Sequence, residues 1–149
     1  MKVEGEPKNG IGPILEKGVG SSVKKTFHFL DSAGSDAGRV VAKVNAAPVE
    51  ALTVSTNNIY AANTWQHWTV SYDDGGDRKI RIYRNGVEIT YNTQRAASGA
   101  TTADGSDRMN VGATPGTLFW AFKGSIDEIR IYSRVLAIQE IQAVAAAGP

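Results

Sequence analysis

The stretch GSIDEIRIYSRVL, residues 124–136, carries the clearest structural signal in this chain. Ile129 and Ile131 alternate with polar residues, as expected for a half-buried strand, because successive side chains of a strand point to opposite faces. Asp127 falls on the same face as the two isoleucines. The spacing therefore predicts a strand that turns a carboxylate toward the core, where an ionised group needs a hydrogen-bonding, ionic or metal partner.

Short alternating runs separated by glycine, asparagine, aspartate and serine fill the rest of the chain, which is typical of all-β proteins. They predict strands in 26–31, 39–45, 49–56, 65–73, 79–92, 109–113 and 119–134. Asn85-Gly86 predicts a two-residue hairpin turn, because both residues accept positive φ. The polar segment 93–108 is predicted to be a long surface loop. Residues 137–147 have the apolar spacing of a helix.

Length and composition restrict the class of protein. The chain has 149 residues, a formal net charge of +1 and no cysteine. This length predicts a single domain over 1–149. The balanced charge argues against nucleic acid and anionic membrane as partners, and the missing cysteines exclude disulfides. Residues 1–18 lack the apolar run of a signal peptide, so the sequence leaves the compartment undetermined.

The order of the motifs resembles the laminin G-like domains of the concanavalin A-like lectin/glucanase superfamily. The resemblance rests on NTWQHWTVSYDDGGDRKIRIYRNGVEI (63–89), FKGSIDEIRIYSRVLAIQEIQAV (122–144) and PILEKG (13–18). It implies an antiparallel β-sandwich of jelly-roll type with one short C-terminal helix. The family normally has further strands where this chain has residues 1–12, which we expect to be irregular. Ala137 stands where the family's helix usually has a serine or threonine cap, so a weaker helix start is expected.

The resemblance implies a binding or adhesion module, usually extracellular, whose partner is a glycan or an extracellular protein. Flat aromatic rings near polar groups suit a sugar, because its ring face presents C–H groups to them. Tyr60, Trp65 and Tyr91 are therefore candidate ligand-binding residues. The alternative is a structural module that forms a homodimer, because the shortened N-terminus would leave a sheet edge for a second copy to cover.

Two interpretations of Asp127 stay open. In the first, Asp127 accepts backbone N–H groups or pairs with an arginine, and so ties the last strand to a loop. In the second, implied by the resemblance, Asp127 binds calcium together with loop acids such as Asp73 and Asp74, because calcium takes about six to eight oxygen ligands. His67 is expected to bond a neighbouring backbone group, and His28 to lie exposed on the sheet.

Enzymatic activity is not expected, although glucanases share this fold. Their chemistry needs two carboxylates that face each other across the substrate, and residues of a strand share a face only at every second position. Asp127 and Glu128 are adjacent and would point to opposite faces. The sequence contains no Glu-x-Asp-x-x-Glu pattern that would supply a pair elsewhere.

Overall fold

A computed structural model describes residues 1–5, 10–18, 23–30, 38–114 and 120–148. This part of the chain forms thirteen strands and one helix. They are β1 (Lys2–Val3), β2 (Ile11–Lys17), β3 (Lys25–Leu30), β4 (Arg39–Val44), β5 (Ala46–Val49), β6 (Ala51–Ser55), β7 (Trp68–Tyr72), β8 (Ile80–Arg84), β9 (Val87–Glu88), β10 (Tyr91–Arg95), β11 (Ser98–Thr101), β12 (Met109–Val111), β13 (Gly124–Ser125) and α1 (Ile138–Ala146).

Two antiparallel sheets form the layers of the sandwich. The larger has the order β10-β6-β4-β3-β2-β12 and the smaller has the order β7-β8-β9. The layers are joined at β6 and β8, where the Thr53 hydroxyl donates a hydrogen bond to the Ile80 carbonyl at 2.8 Å. Two-stranded pairs, β1-β13 and β11-β5, complete the fold. The expected architecture, an antiparallel β-sandwich of jelly-roll type with a short C-terminal helix, is confirmed.

The core between the layers is centred on Phe29, which is fully buried. The rings of Tyr60, Trp68 and Phe122 lie 4.9, 5.6 and 5.8 Å from its ring centre. The contacts with Tyr60 and Trp68 are edge-on, which is favourable because the positive edge of one ring meets the negative face of the other, and Phe122 stacks on Phe29. The contact with Trp68 anchors the beginning of β7 to the larger sheet.

The Asn85-Gly86 hairpin is confirmed. Asn85 has φ 51° and Gly86 has φ 79°, and Arg84 pairs directly with Val87 across the turn. Glycine is needed at the second position for a further reason. A Cβ on Gly86 would lie 3.1 Å from Cα of Gln142, so the turn packs closely against α1.

The predicted surface loop at 93–108 is wrong over its first half. β10 pairs with β6, and β11 pairs with β5, residue by residue from Ser98 opposite Val49 to Thr101 opposite Ala46. Without β10 and β11, β5 and β6 would each have a free edge of backbone N–H and C=O groups. A polar segment can pair with such an edge through its own backbone while its side chains stay at the surface. The polar composition of residues 93–108 therefore predicted that their side chains are exposed, but it did not predict that their backbone forms strands.

The N-terminal residues differ from the expected irregular segment. Lys2 and Val3 form β1, which pairs with Ser125 and Gly124 of β13. Val3 is 3% exposed and belongs to the core. A two-residue strand is too short to show alternation in the sequence, so its partner on β13 is what defines it.

The predicted strand over 119–134 is confirmed only at β13, and residue 119 lies outside the described part of the chain. Residues 126–136 form no strand, and Glu128 has φ 53°, which interrupts an extended run. Ile129 and Ile131 are 47% and 66% exposed. Asp127 is also exposed, so the prediction that its carboxylate faces the core is wrong.

The helix α1 begins one residue later than the predicted 137–147 and lacks a side-chain cap at Ala137. Instead, the Glu140 carboxylate accepts the Ala137 backbone N–H at 2.8 Å and binds the Arg134 guanidinium at 2.6 Å. The bond from Arg134 lowers the pKa of Glu140 to about 2. In the described residues no helix combines the length and apolar character needed to span a membrane.

Candidate functional site

A cleft of about 1070 Å³ lies alongside β7 and reaches between the two layers. Its interior includes Phe27 and Val44 of the larger sheet and Ile80 of β8, all core residues. Residues 65–75 and 126–136 also line it. We call this feature the β7 cleft. Ligand cavities in proteins typically measure about 300–1,000 Å³, so its volume suits an extended small ligand.

Large apolar side chains are concentrated around the β7 cleft. Trp65 is 43% exposed there, although a backbone bridge to Lys2 holds its main chain in place. The other exposed apolar side chains that line the cleft are Val70, Met109, Ile129, Ile131, Tyr132 and Val135. An exposed apolar surface of this extent is typical of an interaction site.

Among the described residues, two polar atoms of the β7 cleft are buried without a hydrogen-bond partner. They are Nε1 of Trp68 and Nδ1 of His67. Burial lowers the pKa of His67, as do the nearby N-terminal amine and Arg130. Buried polar groups in proteins nearly always have a partner, so two orphans side by side are unusual. The expected bond from the His67 ring to a backbone group is absent at Nδ1 among the described residues. The His67 backbone instead pairs with Asn85: its N–H donates to the Asn85 side chain and its carbonyl accepts the Asn85 N–H, both at 2.8 Å.

The basic side chains that line the β7 cleft are all ion-paired in the described part of the chain. The pairs are Lys25 with Asp104 (2.6 Å), Lys17 with the same Asp104 (3.9 Å), Lys43 with Glu50 (2.5 Å), Arg130 with Glu128 (2.8 Å) and Arg134 with Glu140 (2.6 Å). Each of these basic side chains therefore has an acidic partner, although Lys17 and Lys25 share Asp104.

Asp74, one of the three candidate metal ligands, is held by neutral and cationic donors. It accepts hydrogen bonds from the hydroxyls of Thr101 at 2.5 Å and Tyr72 at 2.8 Å, and it pairs with Arg78. The bonds from Thr101 and Tyr72 are the main reason that the pKa of Asp74 is lowered. Its carboxylate oxygen is thus already bound by the protein.

Asp73 and Asp127, the other two candidates, each make a local hydrogen bond within the described part of the chain. Asp73 accepts the backbone N–H of Gly75 at 3.0 Å, and Asp127 accepts that of Glu128 at 2.9 Å. Within the described ranges, no three histidine, cysteine, aspartate or glutamate side chains come together as a metal site. The described residues therefore do not fit a calcium cage, which needs several converging oxygens.

Of the three candidate ligand-binding residues, only Trp65 lines the β7 cleft. Tyr60 packs against Phe29 in the core. The Tyr91 hydroxyl accepts the Ile82 backbone N–H at 2.8 Å, and burial raises the pKa of Tyr91. The sequence did not indicate that residues 126–136 line the cleft. Their alternating apolar and polar side chains predicted a strand with the apolar side chains in the core.

Comparison with known proteins identifies the family to which this chain belongs. The sequence profile of the concanavalin A-like lectin/glucanases superfamily matches residues 14–142. Sialidase B of Streptococcus pneumoniae serotype 4 (strain ATCC BAA-334 / TIGR4) is 28% identical over 82 residues. That alignment covers 54% of this chain and 12% of the sialidase, so the chain corresponds to a small part of that relative.

The profile covers both sheets and most of α1. It also includes the residues of the Asn-Gly hairpin and of the 124–136 stretch, whose order suggested the resemblance. The chain belongs to the concanavalin A-like lectin/glucanases superfamily, as a laminin G-like domain.

Proposed function

We propose that this domain is a non-catalytic carbohydrate-binding module and that the β7 cleft holds the glycan. The observation that carries the proposal is the exposed indole of Trp65 beside a large cleft with an apolar interior. A sugar ring presents C–H groups on its faces, so it packs on an aromatic ring while its hydroxyls remain free for hydrogen bonds. Trp65 supplies such a ring.

Polar groups in the same cleft supply the hydrogen-bonding capacity that a sugar needs. The carboxylates of Asp73 and Asp127 accept only one backbone N–H each among the bonds of the described residues. An ionised carboxylate has capacity for several donors, so both can accept sugar hydroxyls.

We expect no glycosidase chemistry from this domain. Hydrolysis of a glycosidic bond needs a carboxylic acid with a raised pKa to protonate the leaving group. In the described part of the chain, each carboxyl group whose pKa departs clearly from its ordinary value is lowered, chiefly by side-chain hydrogen bonds. Of the adjacent acids, Glu128 is bound by Arg130 at 2.8 Å.

A glycan array probed with the intact domain tests this function, followed by titration of the bound glycans against two variants. Trp65→Ala removes the exposed indole and should weaken binding about tenfold, which corresponds to about 1.4 kcal/mol. Val87→Ala is the control, because Val87 is exposed but does not line the cleft. Absence of glycan binding, or equal affinity of both variants, contradicts the proposal.

Self-association is a second candidate function, and the apolar surface of the same cleft favours it. Side chains such as Ile131, which is 66% exposed, are the type that a second copy would cover. Mass measurement in solution at micromolar concentration tests this candidate. A strict monomer contradicts it, whereas a dimer dissociated by Ile131→Asp supports it.

A further inference from the structure

We propose that the β7 cleft selects uncharged glycans, because Glu128 and Glu140 occupy the two arginines that would otherwise bind an acidic sugar. This inference rests on the proposed glycan site. It adds a specificity mechanism made of ion pairs within the chain.

Arginine is the side chain best suited to a sugar carboxylate or sulfate, because its planar fork donates two parallel hydrogen bonds. In Arg134 this fork is occupied: Nη1 and Nη2 donate to the two carboxylate oxygens of Glu140 at 2.7 and 2.6 Å. Arg130 donates through Nη2 to Glu128 at 2.8 Å. An acidic sugar has to compete with these intramolecular carboxylates for both arginines.

The lysines of the β7 cleft are also ion-paired with carboxylates of the protein. Lys25 lies 2.6 Å from Asp104, which Lys17 shares at 3.9 Å. Lys43 lies 2.5 Å from Glu50. Redirecting Lys25 or Lys43 to a ligand anion would break its close contact with Asp104 or Glu50.

The cleft also contains carboxylates that would repel an acidic sugar. Asp73 has no basic side-chain partner among the described contacts, and Asp127 interacts electrostatically with the amine of Met1. Like charges brought together in a partly desolvated site disfavour binding. The same two carboxylates accept hydrogen bonds from the hydroxyls of an uncharged sugar.

Sialylated glycans are the discriminating ligands, because the similar protein from Streptococcus pneumoniae is named a sialidase. The test uses matched pairs of oligosaccharides, with and without a terminal sialic or glucuronic acid, titrated into the intact domain by calorimetry. We expect each uncharged member to bind at least about tenfold more tightly than its acidic counterpart. We also expect its affinity to be insensitive to salt.

Tighter or equal binding of the acidic members overturns the inference while leaving the proposed glycan site intact. Failure of both members of every pair to bind overturns the proposed function as well, so the two failures are distinguishable.

A charge-removing variant tests the mechanism. Glu140→Gln keeps an oxygen to accept the Ala137 N–H but releases Arg134, so the affinity for acidic relative to uncharged members should rise about three- to tenfold. Asp77→Asn is the matched control, because it releases Arg81 from a comparable 2.5 Å pair that does not line the cleft. An unchanged ratio in Glu140→Gln, with the melting temperature retained, overturns the assigned role of Glu140.

Discussion

His28 on β3 is a residue whose protonation state is coupled to folding. Burial, and secondly the positive charge of Lys43, lower its pKa from 6.5 to about 4. Its Nδ1 lies 3.1 Å from the Thr26 hydroxyl. The expectation that His28 is exposed on the sheet is wrong, because its side chain is largely buried, with only partial access to solvent.

The lowered pKa of His28 predicts a specific pH dependence of stability. Between pH 6.5 and about 4 the unfolded chain binds a proton that the folded chain does not, so the free energy of unfolding falls as the pH falls. We expect a loss on the order of 2–3 kcal/mol across this window. Denaturant unfolding at a series of pH values measures it.

The control is His28→Gln, which removes this titration. The variant should retain a smaller slope due to His67, whose pKa is also lowered by burial, and near pH 4 to carboxyl groups with lowered pKa values such as Glu140. If the wild type and His28→Gln lose stability in parallel, the assignment of the slope to His28 fails.

Asp74 leads to a second prediction at the residue scale, concerning calcium. Its carboxylate is bound by Thr101, Tyr72 and Arg78, and the described residues contain no converging set of acids. We therefore expect the same Tm in calcium and in chelator. An ion that binds only the folded state raises its stability, so a Tm that increases with calcium would contradict this expectation.

Gly99 controls the pairing of two short strands at the element scale. It has φ +77°, and a Cβ at this position would lie 1.8 Å from the carbonyl oxygen of Ala47 on β5. Gly99→Ala should therefore separate β11 from β5 and lower the free energy of unfolding by at least about 2 kcal/mol. Gly105→Ala is the control, since a Cβ there has no neighbour within 4 Å. Similar unfolding midpoints for the two variants would refute this role of Gly99.

The start of α1 offers a stabilising substitution. Ala137 has the extended backbone of an N-cap, φ −65° and ψ 156°, but no side-chain acceptor. Ala137→Thr adds a hydroxyl oxygen for the free N–H groups of the first turn and should stabilise the domain by about 0.5–1 kcal/mol. Ala137→Val has the same shape without the hydroxyl and should not stabilise it. The measurement is the melting temperature of both variants. A Val variant as stable as the Thr variant would exclude capping as the cause of the stabilisation.

The accuracy of sequence prediction at this scale depends on whether the determining interactions are local. The Asn85-Gly86 turn is specified by the φ preferences of its own two residues, and it was predicted correctly. Residues 93–108 were mistaken for a loop because their strands are defined by partners on β5 and β6. Residues 126–136 were mistaken for a strand because alternation does not reveal the positive φ of Glu128.

At the scale of the whole molecule, the fold was more accessible to sequence reasoning than the site. An ordered set of motifs spanning most of the chain indicated the sandwich, and the superfamily match over residues 14–142 confirms it. The β7 cleft is assembled from separate stretches on β3, β4, β7 and 126–136. Its charge balance depends on pairs such as Lys25 and Asp104, which are 79 residues apart and show no pattern in the sequence.

The most direct test of the glycan site is a heteronuclear NMR titration that follows the indole N–H signals of the three tryptophans. Trp65 and Trp68 line the β7 cleft, whereas Trp120 does not. An uncharged oligosaccharide selected on the array should shift the signals of Trp65 and Trp68 in a saturable manner and leave that of Trp120 unchanged. A shift of Trp120 alone, or saturable binding without any change at Trp65 and Trp68, would contradict the assignment of the glycan to this cleft.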